Sequence, residues 1–210
     1  MKKGLFITVE GIEGAGKSTA IQSVSEALNK TGTEHIITRE PGGTPLAEDI
    51  RHLLLKPRDE EVSSDTELLL MYACRSQLIN TVINPALSRG IHVVSDRFND
   101  ASFAYQGGGR DISLDFIKLL DKWVLHDLKP QLTLLLDLPV EIGLTRASKR
   151  GNKDRIEQET LVFFEKVRTS YLERAANEPD RFVIIDATEP PQKVRKDILS
   201  AIETLIKKYS

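Results

Sequence analysis

A single cysteine, Cys74, stands in the 210 residues, so the chain can form no internal disulfide and no cysteine-built zinc cluster. Its place in the apolar run 68–74 reads as a small buried hydrophobe rather than a reactive thiol. Long apolar runs are also missing: the stretch 132–136 is strand-sized, far short of the roughly 18 residues of a membrane span. Lys plus Arg number 29 and Asp plus Glu 31, and a net charge of −2 gives no general attraction for nucleic acid polymers or membrane surfaces. The four histidines, at 35, 52, 92 and 126, lack metal-ligand spacing. No repeat, low-complexity tract or linker divides the chain, so one domain over 1–210 is expected. The basic opening Met1-Lys2-Lys3-Gly4 is followed by an apolar stretch that ends at Glu10, too short for a secretory leader, and the expected compartment is the cytoplasm.

What is present is an alternation of short β-rich runs with longer segments of helical apolar spacing, the pattern of βαβ units. Strands are predicted at 5–9, 35–38, 92–95, 132–138 and 182–186, and seven helices at 17–30, 46–55, 66–89, 114–128, 140–150, 158–176 and 192–209. Pro41-Gly42-Gly43, Gly107-Gly108-Gly109 and Pro190-Pro191 read as loops. The expected fold is α/β, a five-stranded parallel sheet flanked by helices. The basic stretch Lys149-Arg150-Gly151-Asn152-Lys153-Asp154-Arg155 reads as a mobile lid spanning about 146–157.

Gly11-Ile12-Glu13-Gly14-Ala15-Gly16-Lys17-Ser18 matches G-x-x-x-x-G-K-[ST] and lies between the first strand and the first helix, as a phosphate-binding loop must. Glycines let successive backbone N–H groups converge on phosphate oxygens, and the helix N-terminus adds its dipole. Gly11, Glu13, Gly14, Ala15, Gly16, Lys17, Ser18 and Thr19 are therefore expected around ATP, with Lys17 reaching the β- and γ-phosphates and the Ser18 hydroxyl on Mg²⁺. Asp96, after the third strand, is the favoured acidic partner of that metal over Asp137.

A phosphate loop alone does not separate a kinase from a GTPase switch or a motor. A guanine-reading N-K-x-D element is missing, since Asn152-Lys153-Asp154 lacks the spacer. Arg39 and Arg97 instead follow the second and third strands, where the carboxyl ends of a parallel sheet line the ligand crevice, and paired guanidiniums there suit a second phosphorylated ligand.

Val9 to Ser18, Thr38-Arg39-Glu40-Pro41-Gly42-Gly43-Thr44, Asp96-Arg97-Phe98, Ala104-Tyr105-Gln106-Gly107-Gly108 and Asp154-Arg155-Ile156-Glu157 together resemble the thymidylate kinase family, over nearly the whole chain. The resemblance implies a P-loop NTPase fold, ATP-dependent phosphorylation of dTMP and a homodimer. It implies that Arg39 and Arg97 grip the dTMP phosphate with Glu13 nearby, that Arg51 contacts substrate, that Arg75 donates to thymine O4, that Ser102 and Gln106 are polar base contacts, and that Tyr105 lies beneath the sugar. Met71 stands where family members commonly have a stacking Phe, so either Tyr72, beside it, supplies the ring at the base or Met71 packs the base, and Tyr72 is the favoured reading. Gly14 stands where some members carry a catalytic arginine, so the resemblance is to the bacterial class with that arginine in the lid, here Arg150; Lys17 and Arg97 complete the catalytic set. Arg146 and the loop 187–192 are expected around adenine. A kinase for another monophosphate, or a nucleotide-binding switch, are the alternatives.

Overall fold

The computed structural model describes residues 3–149 and 154–209. Five strands, β1 (Phe6–Glu10), β2 (His35–Arg39), β3 (His92–Asp96), β4 (Leu132–Asp137) and β5 (Phe182–Asp186), form one all-parallel sheet in the order β2-β3-β1-β4-β5. All residues of β1 are buried, as are the first five of β4, because helices cover both faces of the sheet centre. Successive side chains of β1 enter opposite layers: Ile7 and Val9 join one core and Phe6 the other. Each such side chain contributes about 1.5–3 kcal/mol through burial. Thr8 and Thr133, buried inside the sheet, share a hydrogen bond across β1 and β4 at 2.8 Å.

The chain leaves β1 toward β2 on one side, and later reaches β4 on the other. The crevice beyond the carboxyl end of β1 is thus the switch point at which α/β sheets bind ligands. The register places Val9 and Arg39 beside Asp96, so the first three strands end together at that crevice.

Nine α-helical segments occur among the described residues, against seven expected. They are α1 (Lys17–Lys30), α2 (Pro45–Leu55), α3 (Ser64–Leu78), α4 (Asn84–Ser88), α5 (Asn99–Ser102), α6 (Leu114–Leu125), α7 (Val140–Ser148), α8 (Leu161–Asn177) and α9 (Pro191–Tyr209). The predicted helix 66–89 is interrupted by a π turn at Ile79–Ile83, a widening that accommodates Pro85 at the start of α4. The glycine run 107–109 is not a loop but the end of a π-helical segment, Phe103–Gly109, continuing α5. Its lack of side chains is required by packing: a Cβ on Gly108 would lie 2.9 Å from the Lys166 carbonyl of α8, and one on Gly109 would enter the Phe163 ring. Pro191, expected in a loop, opens α9, where its missing N–H costs nothing.

Candidate active site

The phosphate loop turns between β1 and α1 on residues that only glycine fills well. Gly16 caps α1 in the left-handed conformation, φ 91°, with no side-chain cap, so the first N–H groups of α1 remain available to an anion. Gly14, at φ 74°, faces the backbone of Gly143 in α7 so closely that any Cβ would collide with the Gly143 carbonyl. The lysine of the loop folds back meanwhile: Lys17 Nζ donates to the carbonyls of Gly11 (3.0 Å) and Ile12 (3.1 Å). Burial, with the neighbouring Arg97 guanidinium adding, pulls Lys17 down to about 8.

Arg97 reaches the same loop from the end of β3. Its backbone is left-handed at φ 69°, uncommon for a residue with a side chain. Its guanidinium donates to the Gly11 carbonyl (2.8 Å) and to Glu13 Oε1 (2.7 Å) and lies 4.8 Å from the Tyr105 ring centre. The Tyr105 hydroxyl donates to both Glu13 oxygens at 2.9 and 2.8 Å. Glu10 braces the turn, accepting from the Phe98 N–H and the Tyr171 hydroxyl, each at 2.7 Å. Burial, then the charge of Asp100, raises its carboxyl to about 8.

Lys17, Arg97, Glu13, Asp96, Arg39, Arg51, Met71, Tyr105 and Gln106 all line one cleft. Arg39 and Arg51 lie at its mouth, Arg39 on Glu48 at 2.9 Å and Arg51 on the Pro41 carbonyl at 2.8 Å. Asp96 Oδ1 is buried with no hydrogen-bond partner, while Asp137 is held by Arg168 through two bonds of 2.7 and 2.9 Å. An unpartnered carboxylate oxygen beside a phosphate loop suits a hard divalent cation, and the exposed Ser18 hydroxyl on the first turn of α1 offers a second oxygen.

Deeper in the protein, the fully buried Arg75 pairs with Glu40, with Nη2 2.7 Å and Nε 2.9 Å from Glu40 Oε2. Its Nη2 also donates to the Phe98 carbonyl at 3.1 Å, and Nη1 is left with no partner. Burial opposes the charge of Arg75, but Glu40 outweighs it and raises the guanidinium further. Ser102 Oγ and Gln106 Oε1, also buried, are unpartnered too. Unpaired polar atoms at this depth cost about 1–3 kcal/mol each, and such a cluster marks a place where a ligand supplies the missing partners.

Tyr72 is not at the cleft, which corrects the expectation of its ring there. Residues 67, 71 and 75 share one face of α3, whereas Tyr72 turns toward α6, its hydroxyl donating to Asp121 at 2.6 Å and its ring lying 4.6 Å beneath the Arg75 guanidinium. Met71 lines the cleft instead. A second cleft, lined by Ala15, Gly16, Thr19, Arg146, Ala187 and Gln192, adjoins the phosphate loop; Arg146 donates to the Ala187 carbonyl at 2.9 Å. Arg150 and residues 151–153 lie outside the described residues, and the far end of the expected lid is an ordered turn in which Asp154 Oδ1 accepts from the N–H groups of Ile156 and Glu157. Sequence reasoning did not single out Glu67, Glu40 or Tyr171. Glu67 stands four and eight residues before Met71 and Arg75, and that helical spacing is the signal that could have placed it at the site. Cys74 is buried, and burial pushes its thiol up to about 12.

The thymidylate kinase family profile matches residues 9–198. The chain is 53% identical over 205 residues to the thymidylate kinase of Pseudomonas fluorescens (strain SBW25), covering 98% of each protein. It is 52% identical over 202 residues to that of Hahella chejuensis (strain KCTC 2396), covering 96% of this chain and 97% of the relative. The thymidylate kinase of Pseudomonas putida (strain F1) matches at 54% over 195 residues, 93% of each.

Proposed function

The chain belongs to the thymidylate kinase family and phosphorylates dTMP with ATP as donor; on that premise we propose how its residues divide the work. The observation that carries the assignment is the single cleft that joins Glu13 and Lys17 of the phosphate loop and Arg97 to Gln106, whose buried Oε1 is unpartnered, as are the buried Arg75 Nη1 and Ser102 Oγ. A dTMP phosphate oxygen attacks the ATP γ-phosphorus, the bond to the β–γ bridging oxygen breaks, and ADP leaves. Lys17 and Arg97 exchange their loop carbonyls for the charged oxygens of the transferring group, and Arg150 of the lid supplies a third cation. Arg39 and Arg51 hold the acceptor phosphate at the mouth of the cleft. Glu13 keeps Arg97 and the Tyr105 hydroxyl in place beside the sugar. The arrival of phosphates would also raise Lys17 again, because their charge offsets the burial that lowers it.

Asp96 and Ser18 would hold Mg²⁺, which when bound offsets the charge on the β- and γ-phosphoryl oxygens. Thymine is read by Arg75 at O4, with Ser102 and Gln106 alongside and Met71 packing the base. Cytosine would place an amino group against the arginine, donor facing donor. Gly11, Gly14, Ala15, Gly16 and Thr19 enclose the ATP phosphates, and adenine lies between Arg146 and the loop 187–192. No helix among the described residues is long and apolar enough to cross a membrane, and the reading places the enzyme in the cytoplasm. As a homodimer, its contact face is the exposed apolar patch of Leu69 on α3 with Phe116, Leu119 and Trp123 on α6, whereas Leu68, Leu78 and Ile83 are core.

The test is ADP release with ATP and Mg²⁺, comparing dTMP, dUMP, UMP, dCMP, AMP and no acceptor. Selective stimulation by dTMP is expected. Stimulation by dCMP equal to that by dTMP would overturn the base-reading assignment. Arg150→Ala is expected to lower kcat by on the order of 10³ with dTMP KM little changed, and the reverse pattern would remove the lid arginine from the chemistry.

A further inference from the structure

Glu67 is 1% exposed, yet it collects four donor atoms from three residues. Its Oε1 accepts from Gln106 Nε2 (2.9 Å) and Arg110 Nε (3.3 Å), and its Oε2 from Arg110 Nη2 (3.2 Å) and Arg155 Nη2 (2.6 Å). Burial works against its charge, but the Gln106 amide and the Arg110 and Arg155 guanidiniums outweigh it and hold the carboxyl below the usual carboxylate range. A carboxylate only accepts hydrogen bonds, so it decides which end of the Gln106 amide faces it: the NH₂ end. The carbonyl end is thereby left as the group presented inward, and Gln106 Oε1 is buried and unpartnered.

We propose that Glu67 is the positioning residue that sets the polarity of base reading, and that it does so jointly with Arg155 at the end of the lid. This rests on the reading of Gln106 as a base contact. With Gln106 locked, the cleft offers an acceptor, Gln106 Oε1, and the buried Arg75, one turn along α3 from the cleft-lining Met71, holds a donor, Nη1, that also has no partner. An imide edge, with an N–H beside a carbonyl, satisfies both. Cytosine presents the opposite pair, a bare ring nitrogen and an amino group, and leaves both mismatched. Were Gln106 free to flip, it would present its NH₂ group and donate to cytosine's ring nitrogen. Half of the discrimination therefore depends on a residue that never touches the base. Arg155 ties the same carboxylate to the lid, also donating from Nε to the Leu54 carbonyl at 2.8 Å and from its backbone N–H to the Leu55 carbonyl at 3.0 Å. The turn that ends the lid and the amide that reads the base thus share one anchor.

The experiment measures kcat and KM for dTMP and dCMP in full-length Glu67→Gln, with the thermal midpoint recorded alongside. A neutral amide at 67 accepts or donates, so Gln106 is freed to turn. The dTMP-over-dCMP ratio of kcat/KM is expected to narrow on the order of tenfold or more, carried by KM, in a protein that still unfolds cooperatively. The exchange Glu67→Gln with Gln106→Glu keeps one carboxylate in the cluster and presents only acceptors to the base; it is expected to regain the selectivity. If Glu67→Gln does not fold, this exchanged pair carries the test, and its failure to prefer dTMP overturns the proposal. An unchanged ratio in folded Glu67→Gln overturns it as well. Gln106→Leu separates the two levels. If Gln106→Leu leaves dTMP KM and selectivity intact, the base is read elsewhere and the underlying assignment falls; if it abolishes selectivity while Glu67→Gln does not, only the role of Glu67 falls.

Discussion

Around the phosphate loop, the cations already hold acceptors: Lys17 sits on the Gly11 and Ile12 carbonyls, and Arg97 shares the Gly11 carbonyl and sits on Glu13. Around Arg75 the opposite holds, with Arg75 Nη1, Glu40 Oε1, Ser102 Oγ and Gln106 Oε1 all buried and unpartnered. The first region must trade its partners when phosphates arrive, so much of its binding energy is offset, and what it gains is charge placed where charge develops in the transition state. The second region trades nothing. Its polar atoms are satisfied only by a base of matching polarity, which turns a desolvation penalty into selectivity. On the proposed division of roles, one region serves rate and the other choice of substrate.

The sharpest separation of the two comes from Lys17→Met. We expect kcat to fall by on the order of 10³ or more, with the dTMP-over-dCMP ratio unchanged, measured by coupled ADP release. A collapse of that ratio would show that the two regions are not independent. Arg75→Met tests the other side. It strands Glu40 in the interior, and breaking a buried pair in this way costs about 3–5 kcal/mol of stability in denaturant unfolding. The double variant Arg75→Met with Glu40→Gln should recover most of that stability and none of the selectivity. Recovery of both would assign Arg75 to the fold alone.

A smaller effect is expected from Gly14→Arg, which installs an arginine where the loop lacks one. The residue would need φ 74° and would drive its Cβ into the Gly143 carbonyl. We expect a loss of about 2–4 kcal/mol in stability and no rescue of Arg150→Ala. Rescue would show that α7 yields and that the loop, not only the lid, can supply the catalytic charge.

How far the sequence foretold these regions follows from the range of the forces involved. The phosphate loop, the five strands and the strand-end Arg39 and Arg97 follow from local pattern, because glycine conformations and apolar alternation are short-range properties. Tyr72 was misplaced because the choice between it and Met71 depends on the rotation of α3, which packing against α6 decides. The glycine run 107–109 looked like a loop because its reason, close approach of α8, lies some 60 residues away in the chain. Glu67 was invisible for the same cause: its partners Gln106, Arg110 and Arg155 lie 39, 43 and 88 residues distant. The proposed base-reading residues rest on such long-range pairs and the phosphate loop does not, so the loop was legible locally and the proposed base site only through resemblance.

The weakest expected effect concerns the brace behind Arg97. Glu10 is raised to about 8 by burial and by Asp100, against an ordinary carboxyl near 4.5. Between those two values the folded protein holds a proton that the unfolded chain has released. Stability from this group is therefore fully present below about pH 4.5 and is lost as pH rises through about 8. In Glu10→Gln that dependence disappears, so the difference in thermal midpoint between wild type and variant should change by a few degrees between pH 5 and pH 8, the wild type losing ground as pH rises. A pH-independent difference would mean that Glu10 stays charged throughout, held by the two donors at 2.7 Å. Arg97 would then owe its left-handed turn to a permanent carboxylate, and the rate-giving region would be as fixed in polarity as Glu67 makes the selective one.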